Sequence, residues 1–445
     1  MFLGMRGTGD WVSDDGTGKG TQRPMNWRQN ILYLYPNGMA PLTAILSMMS
    51  TKKVDDPQFH WWTEQIGSVG GAIGPGLFTL PDLSVAYVAG GVTGDILYGV
   101  VSIALGNRIR AGHEILLRDA SDYRVDVIGK VSDVSIGGAN AVLSIILLQP
   151  DDINSPTNNL SDVDNFLIVG NINAEGAEMP NAIALNPVKH YNFTQIFRSP
   201  LSITRTARKT RLRTGDDYQK AKRECLEYHS IEMELAYLWG IATERIGDNG
   251  KPERTTLGVI NYIRQNAPGN VDDYTLNATY AGSPWAGALG MGEVWFKAFL
   301  ERIFRYGANE KLALVGSGAL LGIDALAMTG GQVNLSPGQK TYGMAITQWT
   351  TPFGVIHMKT HPLFSFDATT RNMMVILEPK ELEYKFIDDT QFYGESSAKK
   401  HPQGYGHRRI DGTEEEYLTE CGLEFGFPEK CGVLNGVGLD NALVP

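Results

Sequence analysis

Apolar and polar residues alternate with a period of two through residues 108–149. Ile109, Ile115 and Leu117 share one parity; Tyr123, Val125 and Val127 continue it. Val142 to Leu148 is an apolar run that reads as a buried strand, set off by the turn residues Gly137-Gly138-Ala139-Asn140. This predicts a compact β module. Strands are predicted across 66–110, polar loops to about residue 165, a strand within 166–188, and a long extended ribbon over 191–213. The period then changes. From Asp216 to Trp239, Ala221, Cys225, Tyr228, Leu235 and Trp239 recur at helical spacing, with Glu232 in the one polar gap. Asp216 and Asp217 stand where a helix dipole favours acids, and Gly240 follows the last periodic residue, so a long helix is predicted.

Further helices are predicted over Leu257–Arg264, over Glu293–Tyr306 with Gly307 as its stop, and near Ala319–Met328. Strands are expected at Leu312–Val315, as a pair over 341–361 broken at Thr351-Pro352-Phe353-Gly354, and across 372–387. A final hairpin would join Tyr417–Phe425 to Lys430–Val437 around Gly426-Phe427-Pro428-Glu429. At the other end, residues 1–25 are Gly-rich and polar and read as a flexible arm. Pro41 is placed to open a short helix ending near Met49, and Asp55 to Trp62 reads as extended.

The chain has 445 residues, room for one large core or two to three domains. Its 42% hydrophobic and 20% charged residues exclude a disordered protein, and 51 glycines imply many turns. No apolar run is long enough to span a membrane, and the N-terminus lacks the apolar stretch of a signal peptide. Three cysteines do not make a disulfide framework, so a reducing compartment is expected. The net charge of −10 argues against a dedicated nucleic-acid binder, although it suits a container that lies beside DNA without gripping it.

The best enzyme-like feature is Gly316-Ser317-Gly318-Ala319-Leu320-Leu321-Gly322, between a strand and a helix. That is the setting of a dinucleotide phosphate loop, but its spacing is one residue too long; the competing reading is a tight turn. His357 and His361, four apart in strand context, make a poor metal pair. Cys421 and Cys431 would face each other across the final hairpin without enough ligands for zinc. Glu414-Glu415-Glu416 reads as a solvated face. No catalytic, cofactor or metal site is expected. Two features point instead to contacts between subunits: the aromatic cluster Phe59, Trp61 and Trp62, whose simpler reading is a core anchor, and the basic run Arg198, Arg205, Arg208, Lys209, Arg211 and Arg213, which has no acid between its members. On a ribbon, Arg205, Lys209, Arg211 and Arg213 share a face that would meet an acidic neighbour or simply keep the ribbon soluble. A second basic cluster, Lys399, Lys400, Arg408 and Arg409, is followed by acids that would pair with it.

Phe59-His60-Trp61-Trp62-Thr63-Glu64 resembles the stretch after the N-terminal arm in a group of tailed-phage major head proteins. Asn192-Phe193-Thr194-Gln195-Ile196-Phe197 resembles that group's N-x-TQIF strand, with Ser202-Ile203-Thr204 and Thr206-Ala207 following. Ile231-Glu232-Met233-Glu234, Trp239-Gly240 and the closing Gly422-Leu423-Glu424-Phe425 with Pro428 and Gly436 are similar too. The resemblance implies an α+β class: the Hong Kong 97 phage capsid fold, with an N-terminal arm (1–65), an E-loop region (66–213) carrying a β-rich insertion at about 100–190, a P-domain spine helix (214–256), an A-domain (257–375), and closing P-domain strands with a C-terminal hairpin (376–445). It further implies self-assembly into hexamers and pentamers of a shell around double-stranded DNA, with scaffolding, portal and decoration proteins as partners, in the host cytoplasm. An encapsulin-like compartment, a tail or sheath protein, and a nucleotide-cofactor enzyme are the alternatives.

Overall fold

The computed structural model describes residues 50–444, apart from 65–69, 120–125, 139, 153–158, 161, 177, 184–186, 211–216, 330–339, 342–343, 346 and 395–411. The expected short helix at Pro41–Met49 and the basic cluster at 399–409 lie outside the described residues. The chain divides into two compact units, residues 62–189 and the remainder.

Residues 62–189 form the β module. Its seven-stranded sheet runs in the order Gly70–Ala72, Asn165–Asn171, His113–Arg118, Asp126–Gly137, Asn140–Leu147, Ile96–Ser102, Gly74–Phe78. The two outermost strands are consecutive in sequence, joined by Ile73 alone. The sheet therefore closes on itself, which removes its edges. Period-two burial fills the interior: Ile115, Leu117, Val127, Val131, Leu143 and Ile145 are wholly buried. The run Val142–Leu148 is not buried on both faces as its composition suggested, because Val142 and Ile146 are only half-buried. One side of each barrel strand faces out, so alternation prevails.

The other unit is built on two larger sheets, with smaller two-stranded pairs beside them. In the first, Thr51–Lys53, Leu382–Tyr393, Gly412–Phe425 and Gln195–Thr204 lie side by side, with helix Asp217–Trp239 packed on them. In the second, Val271–Asp273, Gly432–Asn435, Met374–Leu377, Glu310–Val315, Gly354–Thr360 and Thr347–Thr351 form a mixed sheet, accompanied by helices Gly292–Phe304 and Ser317–Thr329. Helix Val259–Asn266 completes the core between them. The predicted helices and the strand pair at 347–360 stand where their periodicity and turn residues put them, and Gly307 takes the positive φ (83°) that stops its helix.

Three expectations fail here, the first two for a tertiary reason and the third for a local one. The strand over 372–387 is two strands in different sheets, separated by a turn at Pro379–Glu381. Nor do Tyr417–Phe425 and Lys430–Val437 form a hairpin: Gly412–Phe425 belongs to the first sheet and Gly432–Asn435 to the second. Both crossings happen at one place, and Glu381 ties them. Its carbonyl accepts from Gly426 N (2.7 Å), and its carboxylate accepts from Phe427 N (3.0 Å) and pairs with Lys430. Cys421 and Cys431 accordingly lie in or beside different sheets. Third, the extended ribbon stops at Thr204. Arg205–Lys209 is a short helix, because the Thr204 hydroxyl accepts from Ala207 N (3.3 Å) as its N-terminal cap.

The spine helix also turns a different face inward. Cys225 is buried as expected, but Tyr228 and Leu235 are exposed (66% and 41%), while His229, Met233, Glu234, Tyr237 and Leu238 are buried. Polar residues face the core because each finds a partner there.

Candidate intersubunit surface

The partners of the spine helix build a polar chain beneath it. His229 Nδ1 lies 2.9 Å from Ser199 Oγ and its Nε2 2.7 Å from Thr419 Oγ1, which in turn donates to Thr390 Oγ1 (2.9 Å). One turn on, Glu234 Oε1 meets His361 Nε2 at 2.9 Å, both side chains fully buried. Tyr237 Oη sits 2.8 Å from Cys421 Sγ, and burial pushes the Cys421 thiol up to about 12. These contacts clamp the helix to strands 195–204 and 412–425 and, through Glu234, to His361 just past strand 354–360. Burial also lowers the His229 pKa from its ordinary 6.5, so the ring is held neutral. The unfolded chain then binds the proton more readily, and this contribution to stability is full above pH 6.5 and lost as pH falls below it. A urea midpoint series for His229→Gln should fall less steeply between pH 6.5 and 5 than the wild type; parallel curves would place the pH dependence elsewhere.

The strand motif around Asn192 makes a second clamp. Its buried amide donates to Leu423 O (2.7 Å) and Thr256 Oγ1 (3.2 Å), and its carbonyl accepts from Leu257 N (2.7 Å) and Phe193 N (2.8 Å). Thr194 donates to Glu420 (3.1 Å) and Gln195 accepts from Thr256 N (3.1 Å). Three polar residues of Asn192-Phe193-Thr194-Gln195-Ile196-Phe197 thus hold chain segments far apart in sequence.

The structure separates the residues singled out for contact. Phe59 and Trp61 are buried, their rings 6.2 Å apart, and Trp61 stacks on His190 at 5.8 Å. They are core anchors here. Trp62 is 61% exposed, with Lys189 Nζ 5.9 Å from its ring centre. Arg198 forks onto Glu416 (2.9 and 2.8 Å). Arg208 donates to Thr413 Oγ1 (3.2 Å) and lies 4.9 Å over the Tyr218 ring. The Tyr218 hydroxyl reaches Glu415 at 2.5 Å, and burial pushes its pKa up to about 12. Arg205, Arg208 and Lys209 are exposed on the short helix, where Arg205 and Lys209 still share a face at i, i+4 spacing. Arg211 and Arg213 lie outside the described residues. Glu415 and Glu416 are 6% and 7% exposed, not solvated; only Glu414 faces out. Adjacent residues on a strand point to opposite faces, and Tyr218 and Arg198 supply a partner on each. Beside them, Arg198, Leu201, Ala221, Glu224, Tyr228 and Glu232 line a shallow groove of about 390 Å³ between strand 195–204 and the spine helix.

The glycine loop is filled by the protein itself. Gly318 N and Ala319 N both donate to Arg371 O (3.0 and 3.1 Å), and Ser317 N donates to Ser365 Oγ (3.2 Å). The amides that would hold a phosphate are thus spent on residues 365 and 371 of the same chain. His361 is committed to Glu234, and among the described residues no group of three metal-ligating side chains comes together. No described helix is long and apolar enough to cross a membrane.

A family model for the SU10 major capsid protein matches residues 16–438. The chain belongs to that family. Among curated proteins, it is 26% identical over 292 residues to the major capsid protein of Pseudomonas phage PaMx41, a match covering 61% of this chain and 65% of that protein. Similar solved structures include Mycobacterium phage Cain (8% identity, TM-score 0.43, 97% of this chain and 98% of that one) and the holo-SrpI encapsulin complex from Synechococcus elongatus (12% identity, TM-score 0.36, 57% and 76%). Membership in a major capsid protein family agrees with the expectation from the N-x-TQIF and FHWWTE stretches. The mixed α+β class, with a β-rich excursion followed by a long helix, is as the sequence predicted.

Proposed function

We propose that this protein is the major capsid subunit of a tailed phage, assembling as hexamers and pentamers into an icosahedral shell around double-stranded DNA. The observation that carries the reading is the family match across residues 16–438. Membership in a phage family favours a DNA container over an encapsulin-like compartment. On this reading the protein has no catalytic role and takes no cofactor; scaffolding, portal and decoration proteins are its further partners, and it assembles in the host cytoplasm before residing in the virion.

The parts of the chain divide the work. Residues 1–65 serve as the arm, 66–213 as the E-loop region, 214–256 as the spine, 257–375 as the A-domain, and 376–445 as the returning P-domain strands. An extended arm and loop are costly to order alone and become worthwhile when they lie across neighbours. Many modest contacts then suffice, because closed symmetry multiplies them. We assign contact roles to Trp62 and to the basic run Arg198, Arg205, Arg208, Lys209, Arg211 and Arg213, with Phe59 and Trp61 supporting Trp62 from the core. The test is negative-stain microscopy of the purified chain, with scaffolding protein added if needed. Closed shells or capsomer-sized rings are expected. Replacing Arg205, Arg208 and Arg211 together by Glu should abolish them while leaving the subunit folded; normal particles from that variant would remove the basic run from the interface.

A further inference from the structure

Asparagine is followed by glycine at Asn37-Gly38, Asn249-Gly250 and Asn435-Gly436. The first pair lies outside the described residues, and the other two stand in opposite surroundings. The pairing carries a chemistry of its own. The glycine's backbone nitrogen can attack the asparagine's side-chain carbonyl carbon, and glycine has no side chain to block the approach.

Asn249 and Gly250 are exposed at the tip of a hairpin whose strands, Thr243–Ile246 and Pro252–Thr255, form a two-stranded sheet by themselves. All four residues of the first strand are exposed. Ion pairs join the strands: Arg245 meets Glu253 at 3.1 Å, and Arg254 meets Glu244 at 2.7 Å. A two-stranded hairpin without a core is marginally stable, so its tip opens more readily than the packed sheets do. That opening is needed, because in the closed turn Gly250 N donates to Gly247 O (2.9 Å) and has to be released before it attacks. The asparagine side chain is already in place. Its Oδ1 accepts from Lys251 N at 3.0 Å. As the carbonyl carbon becomes tetrahedral its oxygen gains negative charge, and this N–H is aimed at it.

Asn435 is the contrast within the same chain. It ends strand Gly432–Asn435 and pairs with Asp273 in the second large sheet. Gly436 is buried, and a Cβ there would lie 2.7 Å from both Asp273 Oδ1 and Thr275 Cγ2. Packing this close holds the backbone in one conformation.

We infer that Asn249 is a site of spontaneous deamidation in the folded chain and that Asn435 is protected from it. The Gly250 nitrogen gives its proton to water and bonds to Asn249 Cγ. The Cγ–Nδ2 bond breaks, and ammonia leaves with a proton from solvent, so a cyclic imide remains. Water then opens the imide at one carbonyl or the other, giving aspartate or isoaspartate. Nothing is oxidised or reduced; the sum is amide and water giving carboxylate and ammonium. The product carries an added negative charge beside the exposed Asp248. Its isoaspartate form also lengthens the backbone of the turn between the two strands.

The test is peptide mapping by mass spectrometry of the full-length, unassembled chain held at mildly alkaline pH, with isoaspartyl methyltransferase labelling. The Asn249 peptide should gain about 1 Da and take up label, at least about tenfold faster than Asn435 does. In guanidinium chloride the two sites should react at similar rates, because the fold makes the difference. Gly250→Ala should slow the reaction at Asn249 at least about tenfold while circular dichroism stays unchanged. Equal rates at the two sites in the folded chain, a gap that persists in denaturant, no gain at Asn249 while the unfolded chain reacts, or a Gly250→Ala rate equal to the wild type would each overturn the inference.

Discussion

Replacing Lys311 by alanine should lower stability by about 3–5 kcal/mol, read as a fall in the urea midpoint of the unassembled subunit. Lys311 lies on strand Glu310–Val315 with its side chain wholly buried. Its ammonium meets Glu378 Oε2 at 3.1 Å and donates to Tyr306 O (3.2 Å) and Lys430 O (3.0 Å). The same carboxylate oxygen accepts from Ala308 N at 3.1 Å. The pair therefore joins the end of helix Gly292–Phe304, the start of a central strand and the crossing at Pro428–Lys430. Alanine would strand a buried carboxylate and two carbonyls, and the uncompensated charge dominates the cost. Lys311→Met with Glu378→Gln removes both charges and should recover much of the loss. A single alanine variant as stable as the wild type would show that water reaches Glu378.

The second large effect is expected at Gly322. A Cβ there would lie 2.3 Å from Gly438 Cα, and Gly438 itself has φ 87°. Helix Ser317–Thr329 can come this close to the 436–438 turn only without a side chain. Trp285 Nε1 donates to Gly322 O at 2.8 Å, so pushing the helix away also breaks a buried hydrogen bond. Gly322→Val should cost about 3 kcal/mol or prevent folding, whereas Leu321→Ala, at a position 62% exposed, should be nearly neutral. Circular dichroism and urea denaturation of the two variants decide it. If Gly322→Val folds with unchanged stability, close packing is not what this glycine provides.

That glycine illustrates how far local sequence reached. Gly316-Ser317-Gly318 admits a phosphate loop beside the better-fitting tight turn, because both need the same backbone freedom. Only the carbonyl of Arg371, from a later segment of the same chain, distinguishes them. The spine helix gives the same lesson. Its length and ends are written in Asp217, in the helical recurrence and in Gly240. Its buried face is not, because His229 and Glu234 read as surface residues until Ser199, Thr419 and His361 appear opposite them. Glu415 and Glu416 likewise look solvated in a run of three acids, and Tyr218 and Arg198 make them internal. Among the proposed contact residues, the chain alone marked Phe59, Trp61 and Trp62 as a group; alternation on a strand then divides them into two anchors and one exposed ring.

Local pattern settled the elements that depend on neighbours along the chain: the barrel strands from their period of two, the long helix from its spacing and ends, and the family from short stretches in a fixed order. Tertiary structure alone decided what depends on residues distant in sequence. It closed the barrel by pairing one strand, Gly70 to Phe78, on both sides. It sent 374–377 and 382–393 to different sheets, and likewise 412–425 and 432–435, through a shared crossing held by Glu381. And it turned polar side chains inward. The physical reason is common to all three: hydrophobic periodicity records which face of an element is covered, whereas strand partners and buried polar groups are settled by hydrogen bonds to atoms that local pattern does not identify.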